Sequence, residues 1–528
     1  MSRSGLARVR DRLAAARVLQ HRGLVDLRRP DEAVRAFLAI RRHGAFGGLL
    51  SHAAAQHGNA PAITDDRGTV SFRELDETSN ALARGLVVKG IRAGAVIAAL
   101  HRNSRDVMVT ISAANKIGAR TVLMNTGFAG PQLADVSARE NVSCILVDDE
   151  FEDLLTTLPP KTQRFNSSRQ HELIDNQSTS PLPAPRQPGG MALLTSGTTG
   201  TPKGVPRNKI DPSQSAQLLD RIPWPRDAAY YIAAPLFHAT GLATCALGLA
   251  LGNRVVMTRR FDPEATLKAI ADYRVGAVVL VPTMLQRILD LGPEVLAKHD
   301  TSSLTVLFAA GSSLSPDLCR RTHDAFGPVL YNLYGSTEVA VAAIATPDEL
   351  HRAPGTVGRP PVGCTVAIYD ENRRRVTEAG KVGTVFVSSG LSFSGYTDGG
   401  NKEIVDGLLS SGDTGHFDDT GLWFIDGRDD DMIVSGGENV FPLEVENLLA
   451  DHPDIVEASV VGVDDAEFGK RLAAYVVSRP ESGLDADAVK THVRTHLARH
   501  KIPRDVVFVE QLPRNETGKV LRRQLTGK

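Results

Sequence analysis

The run Leu193–Arg207, LLTSGTTGTPKGVPR, crowds three glycines, four threonines and a serine around one lysine, just after an apolar pair. Backbone N–H groups in a glycine-rich turn form a nest for an anion, and hydroxyls add donors. Lys203 brings a mobile positive point charge. Phosphate is the ligand that such a loop fits. It is not the Gly-x4-Gly-Lys-Ser/Thr loop, because Pro202 precedes Lys203 and Gly204 follows it.

Further chemistry-bearing residues lie far downstream. NLYGSTE (332–338) sets Tyr334, on which a base could stack, beside two hydroxyls and Glu338, a hard oxygen ligand suited to Mg²⁺ next to phosphate. SSGDTG (410–415) places Asp413 in a tight turn, where a carboxylate can accept both hydroxyls of a ribose. GRDDDMIVSGGENVFPLEVE (427–446) offers Arg428, and NETGKVLRR (515–523) puts Lys519 in a glycine-bearing loop. His492, His496 and His500 recur every fourth residue, a metal-ligand spacing, but the neighbouring arginines oppose a cation and a solvated basic face is expected.

These residues need a scaffold, and the 528-residue chain is long enough for several domains. Hydrophobic content of 42% suits a globular protein, and a net charge of -1 gives no reason for bulk nucleic-acid binding. Cys144, Cys245, Cys319 and Cys364 are widely spaced, which predicts buried free thiols and a reducing, cytoplasmic compartment. Residues 1–45 read as a basic helical extension able to rest peripherally on an anionic membrane. From Phe46, helical stretches such as FRELDETSNALARGLVVKG alternate with apolar runs such as AVIAAL and SCILVDD, predicting parallel α/β layers. Residues 158–190 are polar and proline-rich and read as an exposed connection. ATGLATCALGLALG (239–252) reads as a buried helix. After about Gly363 the strands shorten, and a compact α+β tail follows Arg428.

Taken in this order, TSGTTGTPKG, YGSTE, SGDTG, GRDDDMIVSGGEN and NETGK resemble the acyl-adenylate-forming enzyme superfamily, the AMP-binding enzymes, and most of all its fatty acid–CoA ligases. The resemblance implies an α/β fold: a large N-terminal domain of layered mixed α/β sheets, residues 46–429, and a small mobile α+β C-terminal domain, residues 430–528. It implies an acid–thiol ligase that joins a carboxylic acid to ATP as an acyl-AMP and then transfers the acyl group to coenzyme A, with Mg²⁺. Thr195, Ser196, Gly197, Thr198, Thr199, Gly200 and Lys203 would lie along the phosphates. Gly311, Ser312, Ser313, Asn332 and Tyr334 would form the adenine pocket. Thr337 would meet the α-phosphate, Glu338 would ligate Mg²⁺, and Asp413 and Arg428 would hold the ribose. Lys519 would bridge acid and adenylate in the first step. Rotation about Asp430 would then exchange it for the loop Ser435–Gly437, whose Gly437 lines the pantetheine channel.

In the same resemblance PLFH (235–238) stands beside the acyl pocket, with His238 near the carboxylate, and the small residues of GLATCALGLALG leave room for an alkyl chain. A medium- to long-chain fatty acid is the expected substrate. A fatty acyl-AMP ligase serving a carrier protein and an aryl acid–CoA ligase are the alternatives. Three positions depart from the family pattern: Arg207-Asn208 follows KGVP without the histidine many relatives carry, Leu408 and Ser411 replace Trp and Thr, and His500 replaces Tyr.

Overall fold

The computed structural model describes residues 3–26, 28–194, 203–207, 212–389, 395, 397, 401–428, 433–435, 438–465, 469–515 and 518–526. Two compact units emerge: 1–308 with 389–402, and 309–388 with 403–528. The chain passes from one to the other within the strand Val306–Ala310.

In the first unit, long apolar runs become strands buried on both faces, as parallel sheets require. One sheet runs Gln163–Phe165, Cys144–Val147, Val96–Leu100, Arg120–Leu123, Met191–Leu194, Gly204–Arg207; every pair is parallel except the last. Another set runs Val275–Leu280, Ala229–Ile232, Arg254–Val256, Pro61–Asp65, Gly68–Ser71, parallel up to its closing hairpin. All six residues of VGAVVL at 275–280 are buried. Helix starts follow local chemistry: Ser71 and Glu74 form a reciprocal capping box before Phe72–Val88, and Asp262 caps Pro263–Tyr273.

The stretch 158–190 is mostly exposed, as expected, but it is not structureless. It contributes the edge strand Gln163–Phe165 and the helix Ser167–Ile174, capped by Asn166. Most of its polar residues stay exposed, but Gln170 is buried. Gln170 donates to the carbonyls of Val147 and Phe165 at 2.9 and 3.0 Å. Arg84 gathers the carbonyls of Ser178, Ser180 and Pro181 at 2.8, 2.7 and 3.2 Å. The basic extension forms helices Arg3–His21 and Pro30–His57, the second interrupted at Gly44, where φ is 74°. Among the described residues no helix is long and apolar enough to cross a membrane.

The second unit is mainly antiparallel. The hairpin Leu330–Ser336 with Ala340–Ala345 is followed by the sheet Arg375–Val376, Thr365–Tyr369, Gly383–Ser388, Leu408–Phe417, which also pairs with Trp423–Arg428. The C-terminal part packs helices Pro442–Ala450 and Ala486–His496 on the sheet Ile455–Asp465, Gly469–Ser478, Asp505–Phe508. Val445, Leu449, Val460, Val476, Val489 and Val493 fill its own core. The mixed α/β body and smaller α+β tail agree with the sequence reading. So does the thiol inventory, with one refinement: Cys144, Cys245 and Cys319 are buried, whereas Cys364 is half-buried.

Candidate active site

The glycine- and threonine-rich loop is framed by the antiparallel pair Met191–Leu194 and Gly204–Arg207, with Leu194 opposite Gly204. Lys203 is exposed at its end. Thr195, Ser196, Gly197, Thr198, Thr199 and Gly200 lie outside the described residues, as do Asp430, Gly436 and Gly437.

In the second unit, Leu330–Ser336 carries Asn332, which is buried, and Tyr334. Gly335 is required by the hairpin itself: a Cβ there would lie 1.7 Å from the Ala340 carbonyl oxygen. The strand ends in a turn pinned by Ser336. Its Oγ accepts from the N–H groups of Glu338 and Val339 at 3.2 and 3.3 Å and donates to Glu338 Oε2 at 2.9 Å. Thr337 sits within this turn. Glu338 is 9% exposed, and its hard carboxylate beside hydroxyls suits a cation that takes one or two carboxylates and completes its shell with phosphate and water.

Asp413 lies on Leu408–Phe417 directly opposite Arg428 on Trp423–Arg428. The guanidinium Nη1 is 3.7 Å from Asp413 Oδ1. The Tyr334 hydroxyl donates to Asp413 Oδ2 at 2.6 Å. Burial, reinforced by the Asp413 charge, pushes the Tyr334 phenol well above its ordinary pKa. The phenol therefore keeps its proton and orients the carboxylate, leaving Asp413 Oδ1 turned to Arg428. Tyr334, Asp413 and Arg428, three residues from three strands, form one polar cluster. Gly311, with φ of 95°, opens the turn that leads through Ser312 and Ser313 to the Ser315-capped helix Pro316–Phe326.

Lys519 is held in a separate turn of the C-terminal part. Its N–H donates to Asn515 Oδ1 at 2.9 Å, and its carbonyl accepts from Asn515 N–H at 2.9 Å. His238 belongs to the first unit. It is the N-cap residue of helix Ala239–Ala250 and packs against Phe237, ring centroids 4.4 Å apart. Burial lowers its pKa to about 4, so the ring is neutral near pH 7. Its Nε2 is buried without a hydrogen-bond partner among the described residues.

Two clusters went unread in the sequence or differ from its reading. His101, Asp106 and Asp148 are the one set of three metal-ligand types drawn together among the described residues. His101 Nδ1 lies 2.8 Å from Asp148 Oδ1, and Asp148 Oδ2 accepts from Arg102 N–H and Arg259, both at 2.9 Å. Burial raises the Asp148 pKa, but His101 and these arginine donors outweigh it and hold the carboxyl below its usual range. Arg67 takes Asp106 at 2.8 Å. Guanidinium groups already neutralise these carboxylates, so the set is a charge network. The expected solvated histidine face is instead partly packed: the His492 ring meets His452 edge-on and His496 at a tilt, with centroids 4.8 and 4.6 Å apart, and faces the Leu448 carbonyl.

Residues 50–397 match the family model of the AMP-binding enzymes, and residues 444–519 match that of their C-terminal domain. The chain is 32% identical over 490 residues to an indoleacetate–CoA ligase of Aromatoleum aromaticum, covering 89% of this chain and 95% of that one. It is 30% identical over 491 residues to the fatty acid–[acyl-carrier-protein] ligase ScoC of Streptomyces coeruleorubidus, covering 89% and 94%. Its fold matches o-succinylbenzoate CoA synthetase from Bacillus subtilis, solved with an acyl-adenylate intermediate, with a TM-score of 0.79 and 26% identity over 90% of this chain and 97% of that one. The activity is that of an AMP-forming acid–thiol ligase using ATP, Mg²⁺ and coenzyme A. With a hydroxyl-pinned carboxylate at Glu338, a Tyr334–Asp413–Arg428 cluster and a family match across both parts of the chain, this protein belongs to the AMP-binding enzymes.

Proposed function

We propose that the acid is a compact apolar one, an aryl or arylalkanoic acid, activated as its adenylate and passed to coenzyme A. The carboxylate end of this reading rests on His238, and its compactness on the packing of the helix that follows. A neutral imidazole at the head of a helix, its buried Nε2 without a partner among the described residues, can donate to a carboxylate, and the helix N-terminus favours that charge. The helix behind it packs close to its strand. A Cβ on Gly248 would meet Tyr230 at 2.9 Å, and one on Gly241 would meet the Pro235 carbonyl oxygen at 2.5 Å. Gly241 and Gly248, two of the small residues expected to leave room for an alkyl chain, are thus used for close packing. The indoleacetate and o-succinylbenzoate relatives act on aryl acids, which supports the same reading. ScoC keeps the fatty-acid and carrier-protein readings in view as the second choice.

In this reading Thr195, Ser196, Gly197, Thr198, Thr199, Gly200 and Lys203 bind the ATP phosphates. Gly311, Ser312, Ser313, Asn332 and Tyr334 enclose the adenine, Asp413 and Arg428 hold the ribose, and Thr337 meets the α-phosphate. Glu338 holds Mg²⁺, which when bound neutralises phosphate charge. Attack of a carboxylate on the α-phosphate brings anion to anion, so Lys203 and Lys519 serve by offsetting charge and His238 by aiming the acid. Residues 430–528 then form the domain that presents Lys519 for the first half-reaction and Gly437 for the second.

The extension 1–45 is read as a peripheral membrane contact. It holds eleven arginines against four acidic residues. Its helices leave Val9, Leu13, Val34, Phe37, Leu38 and Ile40 exposed, the mixture an interfacial helix carries.

A panel of indole-3-acetate, ferulate, o-succinylbenzoate, octanoate and palmitate tests the acid, with ATP and either coenzyme A or a phosphopantetheinylated carrier protein, read by mass spectrometry. Higher kcat/KM for an aryl acid with coenzyme A is expected. Preference for palmitate, or transfer to the carrier alone, would overturn it.

A further inference from the structure

The segment 389–402 returns the chain to the first unit, and Thr397 within it reaches the strand that leaves the phosphate loop. Its N–H donates to the Gly204 carbonyl at 2.9 Å. Its hydroxyl donates to Glu140 Oε1 at 2.7 Å. Glu140 follows the helix Gly130–Arg139, and its side chain is 0% exposed. Arg120 Nη2 lies 3.4 Å from Glu140 Oε2 and also donates to the Glu140 carbonyl at 3.2 Å. Arg139 Nε lies 3.5 Å from Oε1.

Gly204 is the third member of this contact. A Cβ there would fall 2.7 Å from Glu140 Oε1 and 2.8 Å from Thr397 Oγ1. The carboxylate and the hydroxyl occupy the space a side chain would need. Because Gly204 is the register partner of Leu194, the contact grips the last backbone pair before residues 195–203. A buried carboxylate persists only where charge and hydrogen-bond partners hold it. Here two guanidinium groups fix the carboxylate, the carboxylate fixes Thr397, and Thr397 fixes Gly204, next to Lys203.

We propose that Glu140 is a positioning residue for the phosphate loop, acting through Thr397 on Gly204 and Lys203 and so setting affinity for the β- and γ-phosphates of ATP. The inference rests on the reading of residues 195–203 as the ATP phosphate loop. It separates two ligands that share everything except those phosphates. ATP engages the loop end, whereas AMP engages the base, ribose and α-phosphate residues.

The test is calorimetric titration of the full-length protein with Mg²⁺–ATP and with AMP, in the absence of acid, for Glu140→Ala, Glu140→Gln, Thr397→Val and Lys203→Ala. Small displacements of positioned groups carry large costs, so Glu140→Ala is expected to raise the ATP Kd about tenfold and the AMP Kd by less than about twofold. Glu140→Gln keeps an oxygen for the Thr397 hydroxyl and should bind ATP nearly as the parent does. Thr397→Val should weaken ATP selectively. A purely structural Glu140 would instead lower the melting temperature and weaken ATP and AMP together, which overturns the proposal. So does unchanged ATP binding in Glu140→Ala when Lys203→Ala weakens it. If neither variant affects ATP, the phosphate-loop reading itself falls, and the positioning role with it.

Discussion

Tyr334→Phe isolates one hydrogen bond in the ribose cluster. The phenol donates to Asp413 at 2.6 Å, while Arg428 stands off at 3.7 Å. A hydrogen bond to a charged group contributes roughly 1.5–3 kcal/mol when buried, and the partial exposure of Tyr334 brings this to about 1–2 kcal/mol. The loss also frees the Asp413 carboxylate to rotate, so AMP and ATP should both weaken, by about tenfold for 1.4 kcal/mol. A pH series adds a sharper signature. The phenol pKa is raised in the folded protein, so above the ordinary value of 10.0 the unfolded chain releases a proton that the folded chain retains. The stability owed to Tyr334 is therefore whole below that pH and falls by about 1.4 kcal/mol for each pH unit above it. Urea unfolding of parent and variant at neutral pH and one unit above the phenol's ordinary pKa gives the difference directly, other buried tyrosines cancelling. The stability gap should shrink at the higher pH. A gap that stays constant, or AMP binding that is unaltered in the variant, would refute the reasoning.

Three further outcomes follow from the same geometry. Glu338→Gln keeps an acceptor for Ser336 Oγ but loses the charge for Mg²⁺. Adenylation should fall while the ligand-free melting temperature stays put, and parental rates across a Mg²⁺ titration would count against it. Lys519→Ala should cut acyl-AMP formation by orders of magnitude, since a pre-placed charge contributes several kcal/mol, yet leave conversion of supplied acyl-AMP and coenzyme A intact; equal loss of both half-reactions would remove its assigned role. Phe37→Glu with Leu13→Glu reverses two exposed apolar positions and should reduce co-sedimentation with anionic vesicles without changing turnover of a soluble acid; unchanged sedimentation would leave the extension a packing role only.

The layered α/β body was legible because its strands are unbroken apolar runs, such as Val275–Leu280, and its helices begin at clear caps. The nucleotide motifs were legible as residue types. Their partners were not. Tyr334 was read as a stacking platform, yet its hydroxyl is tied to Asp413, and that pairing depends on sheet packing that no local spacing encodes. Gly335 carries no role in the motif as read, and its reason is the hairpin's close approach to Ala340. Glu140 gave no signal at all: its meaning arises only when Gly204 and Thr397 converge on it. The polar stretch 158–190 hid a helix because only a few of its residues turn inward, Gln170 to the Val147 carbonyl among them, while most face solvent as a connection would.

The four thiols are divided evenly between the two compact units: Cys144 and Cys245 in the first, Cys319 and Cys364 in the second. Burial pushes Cys144 and Cys245 to about 12 and Cys319 to about 11, so all three are poor nucleophiles until their surroundings open. Half-buried Cys364 is the thiol an alkylating reagent meets first. The chain thus carries an internal clock for its own opening. Pulsed alkylation followed by peptide mapping timestamps each thiol, and the order in which Cys144, Cys245 and Cys319 become modified tells which unit loosens first, without a single engineered label.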